Sequence, residues 1–230
     1  MPAVRESGHN QLWASMTCRI ITVCSPKGGV GKTTIVRNLL VSAGQAGVKA
    51  IGIDFDPQAS LFKWHLRRER TRETFPDFVP TEVSRADLHD WRAVLRKIET
   101  HKLAIFDTPP SIEEHLAALQ GLCQEASFVL VPTGYTLDDL DSVMPWMKVV
   151  TEFGPKAAFC INRANRRTTI FAKSRARLLK VGSVCPVEIP LLEDIHAHAE
   201  SGLAVLDIAK SRALEPLEAV WDYVRREAGT

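Results

Sequence analysis

The sequence predicts a doubly wound α/β domain, a mainly parallel sheet flanked by helices. Short apolar runs alternate with helical patterns along the whole 230-residue chain. The runs are rich in Ile, Val and Phe and do not alternate with polar residues, which is the pattern of strands buried on both faces. No internal repeat, low-complexity tract or interdomain linker divides the chain, so a single domain is expected over 19–230, after a flexible extension over 1–18.

Taken in order, strands are expected at 20–24, 50–55, 103–107, 127–132, 157–161 and 184–189. Helices are expected at 32–46, 61–70, 84–100, 112–123, 137–153, 170–181 and 215–227. Gly47 stands where a helix-ending glycine belongs. Ser84, three residues before Asp87, resembles a capping box and reads as a helix start. The stretch "TFPDFVPTEV" (74–83) reads as an irregular loop with two prolines.

Composition excludes several classes. Apolar residues make up 45% and charged residues 24%, which is ordinary for a globular protein, and the net charge of +2 implies a polyanionic partner only through a local patch. The cysteines at 18, 24, 123, 160 and 185 form no C-x-x-C pair, which fits reduced thiols better than a disulfide framework or a zinc site. No apolar run reaches the ~18 residues that span a bilayer, and the first residues lack the apolar block of a signal peptide.

Chemistry concentrates in "VCSPKGGVGKTTIVRNLL" (23–40). An apolar run ends, a glycine-rich turn follows, and a helical pattern begins near Gly31. This is the order of a phosphate-binding loop, whose general form is G-x-x-x-x-G-K-[ST]. Gly31, Lys32 and Thr33 close the pattern, but Pro26 stands at its opening glycine. Gly28 and Gly29 must then let the backbone N–H groups wrap a phosphate, with the positive end of the helix behind them. In this reading Lys32 reaches the β- and γ-phosphates and the Thr33 hydroxyl binds Mg²⁺. Lys27 is a second lysine that such a loop does not need.

The narrower pattern K-G-G-x-G-K-T-T resembles the deviant Walker A box of the ParA/MinD family of ATPases, with Lys27 as its signature lysine. "IDFDPQAS" (53–60) looks like that family's second acidic motif, "LAIFDTPPS" (103–111) like its Walker B strand and switch, and "INRA" (161–164) places Asn162 where the family contacts adenine. The resemblance runs from about residue 19 to the end of the chain and is closest to small ParA-type partition proteins. It implies a P-loop NTPase fold, ATP and Mg²⁺ as cofactors, and Lys27, Gly28, Gly29, Val30, Gly31, Lys32, Thr33, Thr34 and Asn162 around the nucleotide. It further implies two subunits that sandwich ATP, each lending Lys27 to the other's phosphates. A cation delivered in trans acts as an arginine finger does, worth roughly 10³–10⁵ in rate.

The same resemblance makes Asp56 the residue that positions or activates the attacking water, beside Lys27 and Lys32 as catalytic groups. It sets Thr33, Asp54, Asp56 and Asp107 around the metal. Asp107 closes the apolar run "LAIF", where a carboxylate is costly unless paired or near a cation. Each aspartate also has a plainer reading as a turn or cap residue.

The stretch 162–180 holds Arg163, Arg166, Arg167, Lys173, Arg175, Arg177 and Lys180 with no acid. On a helix Lys173, Arg177 and Lys180 fall at i, i+4 and i+7 and make one basic stripe. A solvated helix face is the bland account of it. Non-specific DNA binding by Arg163, Arg166, Arg167, Lys173, Arg177 and Lys180 is the functional one. The segment "EIPLLEDIHAHAESG" (188–202) is acidic where relatives often carry arginines.

The resemblance therefore implies a cytoplasmic, nucleoid-associated partition ATPase that forms a homodimer on ATP and is stimulated by a ParB-like adaptor, without a membrane partner. An accessory ATPase positioning another cargo, such as a conjugation complex, shares every motif. A MinD-like membrane regulator would need a basic amphipathic tail, whereas Val220, Tyr223 and Val224 are expected to pack inward. An iron–sulfur reductase would need more cysteines than Cys123 after the Walker B turn, and a tyrosine autokinase more tyrosines than Tyr135 and Tyr223.

Overall fold

The computed structural model describes residues 18–110 and 112–230. The extension expected over 1–18 lies outside the described residues except for Cys18, which is buried at the foot of the first strand.

Seven strands form one sheet in the order β3-β2-β4-β1-β5-β6-β7, every pairing parallel. They are β1 (Arg19–Val23), β2 (Ala50–Asp54), β3 (Glu82–Arg85), β4 (Leu103–Asp107), β5 (Phe128–Thr133), β6 (Ala157–Ile161) and β7 (Ser183–Val184). Parallel neighbours need crossovers, and the helices supply them. They are α1 (Lys32–Gln45), α2 (Ser60–Thr74), α3 (Trp91–Lys97), α4 (Leu116–Glu125), α5 (Leu137–Glu152), α6 (Thr169–Leu179), α7 (Asp194–Ala197) and α8 (Leu214–Ala228).

Successive strand residues point to opposite faces, and both faces are covered. Ile20, Ile53 and Phe106 pack on one side with α3, α4, α5 and α6. Ile21, Val23 and Ile105 pack on the other with α1, α2 and α8. All five cysteines are buried free thiols. On α8, Val220 and Val224 are fully buried and Tyr223 packs edge-on to Phe128, as expected.

Two expectations are corrected. The stretch read as loop and then helix over 74–100 contains β3, a 3-10 turn (Leu88–Asp90) and the short α3. Ser84 is a strand residue, and the cap belongs to Asp87, whose carboxylate accepts from the His89 N–H. Only Val83 of β3 is buried, so this edge strand has no apolar run to announce it. The last strand is also shorter than expected. It pairs only over Ser183–Val184, and Pro186 lacks the N–H that a regular ladder would use. The chain still runs beside β6, with Ile189 N–H bonded to the Ile161 carbonyl.

Candidate active site

Strand β1 pairs with β4 on one side and β5 on the other, so its C-terminal end is a topological switch point, where α/β sheets bind ligands. The glycine-rich loop leaves β1 there and closes into α1. Gly29 (φ +73°) and Gly31 (φ +95°) take the left-handed conformation. Gly31 has a second reason to be glycine, because a Cβ there would lie 2.1 Å from the Asn162 amide nitrogen.

The two lysines of the loop part company. Lys32 is buried, and its ammonium donates to the carbonyls of Ser25 (3.5 Å) and Lys27 (3.3 Å). Burial lowers its pKa, while the Asp107 and Asp56 carboxylates act to raise it. Lys27 points the other way and bonds Asp139 Oδ1 at 2.7 Å, with its side chain 41% exposed. Asp139 lies in the first turn of α5, where it also completes a capping box with Thr136. Burial would raise this carboxyl, but Lys27 and the Thr136 hydrogen bonds prevail and hold it below the ordinary carboxylate range.

The Thr33 hydroxyl donates to Asp107 Oδ2 at 2.7 Å. Asp107 Oδ1 is buried and has no partner among the described residues. Burial pushes the Asp107 carboxyl up to about 7 against the Thr33 bond, with Asp54 adding to the rise. An orphaned carboxylate oxygen beside a hydroxyl suits a divalent cation held through water. Asp56 is half-buried, accepts from the Gln58 N–H at 2.8 Å, and lines one groove of about 380 Å³ with Gly28, Gly29, Gly31, Lys32, Thr33 and Thr34. Val30 is buried and its carbonyl accepts from the Asn162 side chain just past β6.

Asp54, expected near the metal, has both carboxylate oxygens bonded to the chain that follows β2. Its Oδ1 accepts from the Asp56 N–H (3.1 Å) and its Oδ2 from the Phe62 N–H (2.9 Å). It therefore shapes the turn and satisfies an orphan donor at the start of α2. Asn162, expected at adenine, commits its amide to the loop: Nδ2 donates to the Val30 carbonyl at 2.8 Å and Oδ1 accepts from the Arg163 N–H. The basic stretch is also not as free as it reads. Glu188, buried beyond β7, takes both Arg166 and Arg175, and Arg177 stands 3.8 Å from Asp141 of α5. Arg163 lies in the loop groove rather than on α6. Arg167, Lys173 and Lys180 remain exposed without an ion pair among the described residues.

Sequence reasoning passed over Asp139 and Arg37. Asp139 could have been suspected from the capping-box spacing of "TLDD". Arg37, a charged residue inside an apolar helix stretch, was visible as an anomaly.

The family model described as the CobQ/CobB/MinD/ParA nucleotide binding domain matches residues 21–205, which includes the loop, the aspartates and the sheet. The chain belongs to that family. It is 28% identical over 214 residues to the maintenance of carboxysome distribution protein A of Gloeobacter kilaueensis, covering 90% of this chain and 91% of that one. It is likewise 28% identical to a probable plasmid-partitioning protein ParA of Thermus thermophilus, over 91% of this chain and 75% of that one. Among solved structures, the septum site-determining protein MinD of Pyrococcus horikoshii in complex with Mg-ADP superposes with a TM-score of 0.71 at 21% identity, over 92% of this chain and 98% of that one. The fold is thus that of the MinD/ParA P-loop ATPases, and no described helix is long and apolar enough to cross a membrane.

Proposed function

We propose that this nucleotide-binding domain is an Mg²⁺-dependent ParA-type ATPase that closes into a homodimer on ATP, binds DNA without reading its sequence, and is stimulated by a ParB-like adaptor. The observation that carries the reading is the separation of the two loop lysines. Lys32 lies inside the groove, suited to the β- and γ-phosphates of its own nucleotide. Lys27 is held outside by Asp139, as a group delivered to a neighbour must be. A half-exposed ion pair is worth only about 0–1 kcal/mol, so a neighbour's triphosphate can draw Lys27 away from it.

Thr33 and Asp107 would hold Mg²⁺, directly and through water, and the ion would neutralise charge on the transferred phosphoryl group. The N–H groups of Gly29, Gly31 and Thr34 wrap the phosphates, and the α1 dipole adds its positive end. Asp56 orients the attacking water and takes its proton, at the mouth of the groove where the Gln58 bond fixes its carboxylate. Thr108, whose hydroxyl donates to the Val23 carbonyl, ties the turn after β4 to the end of β1, from which the loop departs, and can pass the presence of the γ-phosphate to the dimer face.

DNA contact falls to Arg167, Lys173 and Lys180, with Arg177 shared with Asp141. Doubling that patch by dimerisation would link DNA affinity to ATP and place the protein on the cytoplasmic nucleoid. The carboxysome-distribution relative favours a second reading, in which the same cycle positions a protein cargo. A MinD-like membrane role draws no support from α8, whose apolar residues are turned into the core.

The test is Lys27→Ala. The variant is expected to bind ADP as the wild type does and to stay monomeric on size exclusion with ATP, with stimulated turnover lost. Dimer formation equal to wild type would refute the trans-lysine cycle.

A further inference from the structure

A second groove opens at the β7 edge of the sheet and shares no lining residue with the nucleotide groove. Its volume is about 820 Å³, against about 380 Å³ for the nucleotide groove. The walls come from the loop after β6, the chain after β7 and the start of α8. Val187, Leu191, Leu192, Pro216 and Ala219 give it an apolar lining. Leu191 is 63% exposed, so a large aliphatic side chain stands open to solvent in a concave site. Apolar surface rimmed by polar groups is the mark of a recognition site.

The rim is cationic and partly fixed. Glu188 is buried in the groove wall and takes two guanidinium groups. Arg166 Nε donates to its Oε2 at 2.8 Å, and Arg175 Nε to its Oε1 at 3.0 Å. One carboxylate between two guanidinium groups leaves a positive charge over, and the Arg166 side chain is still 65% exposed. Held this way, Arg166 loses less rotamer freedom when a ligand arrives. Arg167 and Arg212 are exposed and have no ion pair among the described residues. Glu215 opposes them, but it lies in the first turn of α8, where the helix dipole already favours a carboxylate.

The backbone narrows the choice of occupant. Cys185, Ile189 and Leu191 spend their N–H groups inward, on the carbonyls of Phe159, Ile161 and Ala164. Pro186 and Pro190 stand between them and have no N–H to offer an added strand. A ligand here is therefore held by its side chains. A phosphate backbone would meet the arginines and leave Leu191 and the apolar lining uncovered. A peptide with both carboxylates and an apolar anchor matches the rim and the floor together.

We propose that this groove docks a short acidic segment of a partner protein, with an aliphatic or aromatic anchor seated on Leu191 and carboxylates set against Arg166, Arg167 and Arg212. Arginines around an apolar centre are the composition of interface hot spots. The inference goes beyond the ATPase reading and stands independently of it.

The test is panning of a phage-displayed library of random dodecapeptides on the intact chain, with the double variant Leu191→Asp/Arg212→Glu as counter-selection. Both positions are exposed and lie outside the DNA patch assigned above, and an unchanged thermal midpoint checks that the variants fold. Enriched peptides are expected to carry Asp or Glu beside Leu, Ile, Phe or Trp. In fluorescence anisotropy, Leu191→Asp should weaken an enriched peptide by at least about tenfold. Arg212→Glu should weaken it severalfold at low salt and less at high salt. No enrichment over the counter-selection, enriched peptides without acids, or affinities unchanged in both variants would overturn the docking site. Loss of DNA retention by Arg212→Glu with peptide binding unmoved would assign this face to DNA and overturn the proposal as well.

Discussion

Asp107 shows how much a single residue's role depends on what the fold places around it. The sequence marks it as a carboxylate closing an apolar strand. In the structure it is flanked by Val23 of β1 and Asp54 of β2, bonded to Thr33 on one oxygen and bare on the other. Its folded pKa of about 7 lies above the roughly 3.9 of an unfolded aspartate. Between those values the folded state holds a proton that the unfolded state has lost, so the contribution of Asp107 to stability falls as pH rises from about 4 to about 7 and then levels. The thermal midpoint of the wild type relative to Asp107→Asn should fall over that window, and Mg-ADP should abolish the fall. Parallel curves for the two proteins would show that the carboxyl titrates normally. Lys27 was legible from its place in the motif, but its partner Asp139 is 112 residues away and only the fold joins them.

At the scale of elements, the phosphate loop was the most legible feature, because strand, glycine turn and helix are local in sequence. Gly31 and Gly28 separate the loop's backbone demands. Gly31→Ala would force φ +95° on a residue with a Cβ 2.1 Å from Asn162, at a cost of about 1–3 kcal/mol and with loss of ADP binding. At Gly28 the nearest atom to an added Cβ is Pro110 Cβ at 4.0 Å, so Gly28→Ala should leave the thermal midpoint nearly unchanged. Equal melting shifts for the two would count against this account of the loop. The edge strand β3 was not legible, since one buried valine among polar residues carries no period. Helix α6 was legible as a helix but not as a surface. Glu188 and Asp141 reach it from elements before and after it in the chain, and no inspection of 162–180 reveals them.

For the whole molecule, the question is whether two such domains together make a DNA-binding face. The triple change Lys173/Arg177/Lys180→Ala should weaken ATP-dependent DNA retention and flatten its salt dependence, while basal ATPase is unchanged. Gel shifts with ATP, ADP and a non-hydrolysable analogue across a salt series would measure both. Undiminished binding by the variant at low salt would move the DNA surface elsewhere, and a shift that ignores the nucleotide would break the link to dimerisation.

The sequence by itself determined the architecture and the phosphate chemistry. Buried parallel strands, crossover helices and a glycine loop are each set by neighbours a few residues apart, through backbone sterics and the burial of apolar runs. Only the tertiary structure decided the partners of the polar groups: Asp54 with the N–H groups of Asp56 and Phe62, Asn162 with the loop, Lys27 with Asp139, Arg166 and Arg175 with Glu188, and Arg37 with the Ile195 carbonyl. Electrostatic partners are chosen by proximity in space, and the sheet order that creates that proximity brings together residues far apart in the chain.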